Sequence, residues 1–562
     1  MRLTILSIPL YVLSTLCFFF HYTNASGIYL WLGIAISFVP TICVILRSKN
    51  ETERLTAVLL FGVTLRMLSI LRTSPWGFGT ESDSSFNFQL SSDIQQGGRF
   101  AFGVGFERIA DYSFNPALNL WSTVLSDISG LGLYHIAALL FPVLSCLILL
   151  LFYYLSVRPL LGKIAAPWAC LVLTCIPTFI VFDASYSKEP FSLMFFVMCL
   201  YFVFQSLERR NTSARIALGL LATFMVVFAH QWTAYNLMVT IVVLWILPVI
   251  FARLLRNFHR TIPDLKAFLG PMFCLSVFVV VFSWFIFAEP LLFSGQMHLL
   301  STFFQPLISE HVSHGMPFLS VSEKIMVYGG YAFLAAIGLE ELLAGSFRKS
   351  KGSSELVVEA WSVFSAVYLI VFTFFLPSGY NFATISQRGW IFAFLGFAPL
   401  VAKGVTRVSG KCYSRKWISR LSRSFPLVLI LPLVSAILLC PPYIINPTQK
   451  DPDQSFYTTA TWMRQHASNA TVAMDFYTWN VLVPYGRVNY YPESSPYTLD
   501  PSSFVNYAYS KENFNLFNNR WKIFAFNKDI SQWFNATADS STFDGYYDKI
   551  HDSQSLSIYA NP

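Results

Sequence analysis

Long apolar segments recur along this chain, and they constrain its fold more than any other feature. A run of about twenty apolar residues can cross a bilayer as one helix, because a helix pairs its backbone polar groups internally. Apolar residues make up 55% of the 562-residue chain and charged residues only 12%, which excludes an ordinary soluble domain. The sequence therefore predicts an α-helical polytopic membrane protein of about thirteen spans. These spans lie near 3–22, 27–46, 55–72, 132–154, 165–182, 189–206, 213–229, 234–251, 268–288, 325–344, 357–377, 389–405 and 425–445.

The positions of lysine and arginine predict how these spans are oriented in the cell membrane. Basic residues cluster in every second interval, and the positive-inside bias places such intervals in the cytoplasm. The N-terminus is then cytoplasmic, whereas the loops 73–131 and 289–324 and the C-terminal tail face outward. The net charge of +8 lies in the cytoplasmic intervals, so it does not indicate nucleic-acid binding. These intervals read RSKNETER (47–54), SVRPLLGK (156–163), LERRNTSAR (207–215), ARLLRNFHR (252–260), FRKSK (347–351) and KGVTRVSGKCYSRKWISRLSR (403–423).

Composition changes sharply in the C-terminal tail, which is rich in Asn, Asp, Ser and Tyr. We therefore divide the chain into a transmembrane domain, 1–445, and a small extracytoplasmic α/β domain, 446–562. Residue spacing and composition in the tail predict both helix and strand. The predicted elements are a helix at 458–467, strands at 471–476 and 520–526, and a hairpin at 546–560.

The stretch from Thr80 to Pro116 is the first long polar interval of the chain. It holds acidic residues close to a membrane, where a carboxylate cluster is costly unless a cation or a reaction uses it. The sequence SSFNFQLSSDIQQGG after Asp83 has apolar residues at helical spacing, which places Asp83 near the start of a short helix along the membrane. A carboxylate there also caps the helix and meets the positive end of its dipole. A catalytic role and a helix-capping role therefore both remain open for Asp83.

The layout of this interval resembles the first outer loop of the GT-C glycosyltransferases. In both, an acidic residue precedes an amphipathic helix that ends in glycine, and a second helix that starts after proline leads into the next span. Here that second helix follows Asn115 and Pro116. Enzymes of this family take a sugar from a polyprenyl-phosphate carrier. The resemblance implies that Asp83, with Glu81 beside it, is the catalytic or metal-binding acid.

A second similarity to the family lies in DASYSKEP (183–190), a short outward turn between two spans. GT-C enzymes often place an acidic residue at this point, so the resemblance implies that Asp183 and Glu189 bind a metal. Lys188 is a candidate for contacting a lipid phosphate. Two acids and a lysine at a membrane boundary are costly unless they are paired or used. An ion pair between Lys188 and Asp183 is the alternative interpretation.

Three further residues are candidates for binding the phosphate of the carrier. Arg388 lies at the outer mouth of a late span, and a guanidinium suits bidentate recognition of phosphate. GT-C enzymes resemble this chain in placing an arginine near that point. His230, which ends a span, could bond a phosphate or a hydroxyl, and Arg99 is a candidate for the same task. The alternatives are a snorkelling arginine and a histidine that packs on Trp232.

The resemblance implies a transferase that acts on the outer face of the membrane. Its donor is a sugar on polyprenyl or dolichyl phosphate, and its acceptor is a glycan, a lipid or a protein. Asp83 would act as general base on an acceptor hydroxyl or would hold a divalent cation, Mg²⁺ or Mn²⁺, together with Asp183 and Glu189. Direct displacement would invert the anomeric carbon. The tail lacks the WWDYG motif of the oligosaccharyltransferase branch, which favours transfer of a single sugar.

Two other classes of protein remain open at this level. A transporter or flippase for a lipid-linked or anionic solute would also carry outer carboxylates and arginine. Transporters place ionisable groups near the bilayer midplane, whereas here Arg66 is the main charge inside a span and the other candidates cluster at one face. That asymmetry favours an enzyme. A non-catalytic partner subunit on the same scaffold would have a similar sequence.

Overall fold

The computed structural model describes most of the chain. These residues are 2–24, 26–72, 78, 82–100, 113–180, 182–208, 213–256, 270–287, 321–346, 352–374, 380–410, 425–438, 454–467, 471–473, 476–490, 523–527, 548–552 and 556–560. The outer loop predicted at 289–324 falls almost entirely outside them, as does Glu81.

A described helix lies within every predicted membrane span, which confirms the α-helical polytopic fold of a multi-pass membrane protein. Within the described ranges, eight helices are long and apolar enough to cross a membrane. In chain order the helices are α1 (Arg2–Asn24), α2 (Gly27–Arg47), α3 (Glu51–Arg72), α4 (Ser82–Gly97), α5 (Ala117–Ser129), α6 (Leu133–Thr174), α7 (Lys188–Glu208), α8 (Ser213–Ala229), α9 (Gln231–Arg256), α10 (Pro271–Phe287), α11 (Val321–Ser346), α12 (Ser353–Phe374), α13 (Tyr380–Gly410), α14 (Ile430–Leu438), α15 (Gln454–His466) and α16 (Phe476–Gly486).

Two of the predicted spans, 132–154 and 165–182, are joined in the single long element α6. The basic interval between them, predicted as a loop, is helical on both sides of a kink at Gly162. The backbone of Gly162 has φ 74° and ψ 174°, a conformation that glycine adopts readily because it has no Cβ. The kink therefore replaces the predicted loop.

The chain folds into two compact units, which we call the helical unit and the tail unit. The first long polar interval belongs to the same unit as the C-terminal tail. The helical unit comprises Met1–Leu71, Leu140–Ser378 and Phe382–Thr448, and the tail unit comprises Arg72–Leu139, Gly379–Asn381 and Gln449–Pro562.

The helical unit has one continuous apolar core that includes large aromatic side chains. Phe18, Phe61 and Trp361 are almost completely buried in it. Tyr153 is buried as well, and its hydroxyl donates to the carbonyl of Leu395 at 2.8 Å, so its polar end is satisfied. The side chains exposed on the same helices are also apolar, as expected where a helix faces lipid.

Ion pairs show which loops share an end of the helical unit. Glu51, at the start of α3, accepts from Arg158 at 2.5 Å and lies 3.7 Å from Lys163. The predicted cytoplasmic intervals 47–54 and 156–163 therefore meet at one end. The placement of that end in the cytoplasm stays a prediction.

In the tail unit, α4 packs its apolar face against the C-terminal tail. Phe86, Leu90 and Ile94 recur at helical spacing, and all three are buried in one cluster with residues of α15 and α16. The predicted helix is thus present, but its apolar face contacts protein where the sequence suggested a membrane surface. Arg487 also donates to Asp93 on α4. A half-exposed pair contributes about 0.2–1 kcal/mol, whereas truncating a buried leucine costs about 2–5 kcal/mol, so the apolar contact dominates.

The α5 helix has the opposite arrangement of its two faces. Its polar residues Asn119 and Thr123 are buried against α4, where Asn119 donates to the carbonyl of Asn87 at 2.8 Å and Thr123 to that of Ser91 at 3.2 Å. Ile128 and other apolar residues are exposed. Hydrogen bonds to α4 therefore offset part of the cost of burying the polar face.

The tail unit also contains a five-stranded sheet with the order β2-β1-β3-β5-β4. The pairs β1–β2 and β1–β3 are parallel, whereas β3–β5 and β4–β5 are antiparallel. This confirms a C-terminal α/β domain, including the predicted hairpin, which β4 and β5 form. The strands are β1 (Thr471–Ala473), β2 (Asn489–Tyr490), β3 (Ile523–Asn527), β4 (Asp548–Asp552) and β5 (Leu556–Ala560).

Candidate functional site

A tight turn between α6 and α7 brings three charged residues into the protein interior. A one-turn helix, Pro177–Ile180, and a 3₁₀ turn, Phe182–Ala184, carry the chain to the start of α7. Asp183, Lys188 and Glu189 are only 1%, 6% and 4% exposed. Glu189 lies in the first turn of α7, where the positive end of the helix dipole favours a carboxylate. The turn predicted from the sequence therefore carries three buried ionisable side chains.

Asp183 is the residue most affected by this burial. Neither of its carboxylate oxygens has a hydrogen-bond partner among the described residues. No hydrogen bond therefore joins the Asp183 carboxyl to Lys188, and the ion pair considered as an alternative stays a prediction. Burial raises the pKa of Asp183 to about 7, and the positive charge of Arg66 opposes part of that rise.

Arg66 fixes the position of the turn from the neighbouring helix α3. It is completely buried, and its Nη1 donates to the carbonyl of Phe179. Its guanidinium carbon lies 4.0 Å from the centroid of the Phe179 ring, a cation–π contact. Arg66 is thus engaged with the turn that leads to Asp183.

His230 lies between α8 and α9 and is joined to the start of α7 by hydroxyl groups. Its Nδ1 lies 2.9 Å from the Thr233 hydroxyl oxygen, which lies 2.8 Å from the Ser192 hydroxyl oxygen. The Ser192 hydroxyl also lies 2.8 Å from the carbonyl of Glu189. The structure therefore brings Lys188, Glu189 and His230 to one end of the helical unit.

A second polar contact in this region joins α9 to α12. The Tyr368 hydroxyl donates to the amide oxygen of Asn236, and Asn236 is 5% exposed. Sequence analysis missed Ser192, Thr233, Asn236 and Tyr368. Hydroxyl and amide residues are common at helix contacts inside apolar spans. Only the tertiary structure therefore associates these four residues with the candidate site.

The remaining predicted site residues are Asp83, Arg99, Arg388 and Glu81. Asp83 lies in the first turn of α4 in the tail unit and is half-buried, and Asn87 donates to its carbonyl at 2.7 Å. Its position is compatible with both the capping and the catalytic roles. Arg99 is exposed just after α4. Arg388 lies in α13 in the helical unit, and its side chain falls outside the described part, as does Glu81.

The buried acids can be compared with the needs of a divalent cation. No group of three His, Cys, Asp or Glu side chains converges among the residues described. Asp183 nevertheless offers two buried oxygens without hydrogen-bond partners, and Glu189 offers a second buried carboxylate. Carboxylate oxygens are the ligands that Mg²⁺ prefers. Asp183 and Glu189 therefore fit as cation ligands in their chemistry.

The fold is shared with solved oligosaccharyltransferase and ArnT structures, which confirms the fold resemblance drawn from the sequence. AglB, an oligosaccharyltransferase of Archaeoglobus fulgidus solved with an inhibitory peptide and a dolichol-phosphate, has a TM-score of 0.56 at 13% identity, over 92% of this chain and 75% of its own. An oligosaccharyltransferase of the same organism in complex with Zn and sulfate has a TM-score of 0.52 at 13% identity, over 90% and 73%.

A protein from another organism shares the fold as well. ArnT from Cupriavidus metallidurans in the apo state has a TM-score of 0.50 at 12% identity, over 91% of this chain and 98% of its own. Identities this low show the common fold alone. No protein-family model and no curated protein matches the chain.

Proposed function

We propose that this protein is a glycosyltransferase that uses a sugar carried on polyprenyl or dolichyl phosphate. The observation that carries the proposal is a set of ionisable residues at one end of a helical unit with the GT-C fold. Asp183, Lys188 and Glu189 are buried there, and His230 is half-buried. Buried charge of this kind is retained where it is paired or used. Structures of this fold are oligosaccharyltransferases and ArnT, which supports the same class of chemistry.

In this reaction the acceptor oxygen forms a bond to the anomeric carbon as the bond from that carbon to the phosphate oxygen breaks. Asp83 accepts the proton of the acceptor hydroxyl. Lys188 and His230 stabilise the negative charge on the departing phosphate, and Arg388 and Arg99 are further phosphate ligands in the proposal. Displacement from the opposite face inverts the anomeric carbon. A phosphate leaves readily, so no strong general acid is needed.

The metal requirement is part of the same proposal. Asp183 and Glu189 would hold Mg²⁺ or Mn²⁺, and Asp83 is the alternative ligand. A bound cation would supply positive charge for the phosphate. An oligosaccharyltransferase of this fold binds Zn, which supports a divalent cation in general.

The domain layout proposed for this function follows the charge distribution of the sequence. The transmembrane domain, 1–445, would bind the carrier, and the α/β domain, 446–562, would lie outside the cytoplasm and bind a glycan, lipid or protein acceptor. The packing of α4 against α15 and α16 supports a link between the Asp83 helix and that tail.

A transfer assay tests the assignment of Asp83. The purified protein and its Asp83→Asn variant are incubated with radiolabelled lipid-linked sugar from a native lipid extract. Loss of a general base lowers the rate about 100-fold or more, so transfer should collapse in this variant. The matched control is Asp127→Asn, on the exposed face of α5, which should transfer at the wild-type rate.

Two results of this assay would contradict the proposal. Transfer by Asp83→Asn at the wild-type rate would remove its catalytic role. Absence of transfer by the wild type, together with passage of lipid-linked sugar across reconstituted vesicles, would indicate a transporter. The packing of Arg66 against Phe179 favours the enzyme, because a transport path would expose such a charge to water.

A further inference from the structure

The α5 helix has an exposed apolar face on the side that points away from α4. Val124 and Ile128 lie one turn apart on this face, and their side chains are 54% and 81% exposed. Asn119 and Thr123, which bond to α4, lie on the other side of the helix. A surface helix of a soluble protein has its apolar side on the core and its polar side in water. The reversed arrangement of α5 therefore indicates that its exposed face meets an apolar medium.

A three-residue link, held by hydrogen bonds, joins α5 to α6. The Gly130 N–H donates to the carbonyl of Ser126 at 3.0 Å, and the Ser126 hydroxyl donates to the carbonyl of Leu131 at 2.7 Å. Gly130 has φ 69°, the left-handed conformation with which many helices end at glycine. Three residues extend a chain by at most about 11 Å, so α5 ends close to the start of α6.

The exposed apolar surface of α5 continues through this link into α6. Leu131 in the link and Leu139 in α6 are each 46% exposed. The α6 helix is long and apolar enough to cross a membrane, so its exposed apolar side chains are expected to face lipid. The one charged residue of α5 is Asp127, which accepts from Gln95 of α4 at 3.0 Å. The apolar face of α5 itself is therefore uncharged and continuous with the surface of a membrane span.

We propose that α5 docks on the membrane, with its apolar face in the acyl chains of the leaflet that α6 enters. The helix can take this position because its backbone groups are paired internally and leave little for lipid to satisfy. Because α4 is bonded to the other side of α5, the helix that carries Asp83 lies one helix layer from the acyl chains, an axis separation of about 8–10 Å. Docking of this kind does not depend on the transfer reaction.

Spin labelling in liposomes tests the contact with lipid. In a cysteine-free background, a nitroxide is attached at Val124→Cys, Ile128→Cys or Ser129→Cys. Its collisions with oxygen, which concentrates in lipid, and with a water-soluble nickel complex are then measured. The ratio of oxygen to nickel collisions should be higher at 124 and 128 than at 129. Ser129 is the matched control, because it is exposed and lies about 100° further round the helix than Ile128.

Two results of this measurement would overturn the proposal. A ratio at 128 no higher than at 129 would show that the apolar face lies in water. Poor access of both reagents to the label at 128 would show that protein covers the face, and dipolar broadening between two labels would identify that protein as a second copy of this chain.

A charge placed on the apolar face provides a second test. Ile128→Asp should lower the oxygen-to-nickel ratio of a label at 124, because a carboxylate resists entry into hydrocarbon. Ile128→Leu should leave this ratio unchanged. An equal ratio in Ile128→Asp and Ile128→Leu would contradict docking through this face.

Photolabelling tests the same contact in the unmodified protein, without replacement of its nine cysteines. A phosphatidylcholine with a photoreactive acyl chain should label the segment 124–131 in liposomes, and mass spectrometry of a peptic digest locates the label. Labelling of α6 is the positive control. Labelling of α6 without any label in 124–131 would overturn the proposal.

Discussion

At the scale of single residues, Arg66 and Asp183 show how this protein keeps opposite charges in its interior. Arg66 contacts the ring and carbonyl of Phe179, and its charge acts on Asp183 against the effect of burial. The sequence suggested Arg66 only as a mark of transport. Its contacts indicate that it supports the turn carrying Asp183.

Replacing Arg66 by methionine should therefore destabilise the protein by about 1–3 kcal/mol, because the buried Phe179 carbonyl loses its donor and the positive charge that opposes the burial of Asp183 is removed. The double variant with Asp183→Asn should cost at least about 1 kcal/mol less than the sum of the single variants. Thermal unfolding in detergent micelles measures both. Additive losses would show that the two residues are not coupled, and Arg253→Met, at an exposed position of α9, is the control.

The raised pKa of Asp183 predicts a dependence of stability on pH. The carboxyl has a pKa of 3.8 in its ordinary state and about 7 in the folded protein, so the folded state binds the proton more tightly. This contribution to stability is complete below about pH 4 and is lost as pH rises to about 7. In metal-free buffer, Tm should fall from pH 5 to pH 7.5 more steeply for the wild type than for Asp183→Asn. Equal slopes would contradict the prediction.

At the scale of elements, close helix contacts depend on individual glycines. A Cβ added at Gly330 in α11 would lie 2.9 Å from the carbonyl oxygen of Leu431 and 3.0 Å from the Cβ of Ser435, on α14. At the adjacent Gly329 a Cβ would meet nothing within 4 Å. Small residues at such contacts let two helices approach within a membrane, where the hydrophobic effect does not drive association.

These two neighbours provide a matched pair of alanine substitutions. Gly329→Ala should raise stability by up to about 1 kcal/mol, because alanine favours the helix. Gly330→Ala has the same gain in propensity, but it should lower stability by about 1–3 kcal/mol through overpacking against α14. Thermal unfolding of both variants, compared with the wild type, measures the two changes in stability. A stabilising Gly330→Ala would show that α11 and α14 do not pack as closely as described.

At the scale of the whole molecule, the orientation in the membrane is still a prediction from the distribution of charge. Ser129, at the end of α5, belongs to the predicted outer loop, and Arg253, near the end of α9, belongs to a predicted cytoplasmic interval. Both are exposed, so each is accessible to a reagent on its own side.

Cysteine labelling tests this orientation. In a cysteine-free background, Ser129→Cys should react with a membrane-impermeant maleimide on intact cells, because its loop is predicted outside. Arg253→Cys should react only after permeabilisation. The reverse pattern would place the N-terminus and the basic intervals outside. Labelling of both on permeabilised cells is the control for accessibility.

Several features of this protein follow from local sequence alone. Hydropathy and length identify each membrane span, because each span responds to the bilayer independently of its neighbours. The helix starting near Asp83 and the hairpin in the tail also follow from spacing. Asp183, Lys188, Glu189 and His230 stand out as polar groups at the ends of apolar runs.

Other features were decided only by tertiary structure. The spacing of apolar residues in α4 predicts an apolar face but does not distinguish contact with lipid from contact with protein. In the structure this face packs against α15 and α16. Ser192 and Thr233 are forty-one residues apart, and only their hydrogen bond joins them to His230. The periodicity of apolar residues predicts which side of a helix is apolar, because that depends only on local spacing. The hydrogen-bond and ionic partners of a buried polar group depend instead on which distant segments pack together. The sequence therefore determined the membrane fold, and the packing of the helices determined the surroundings of each buried charge.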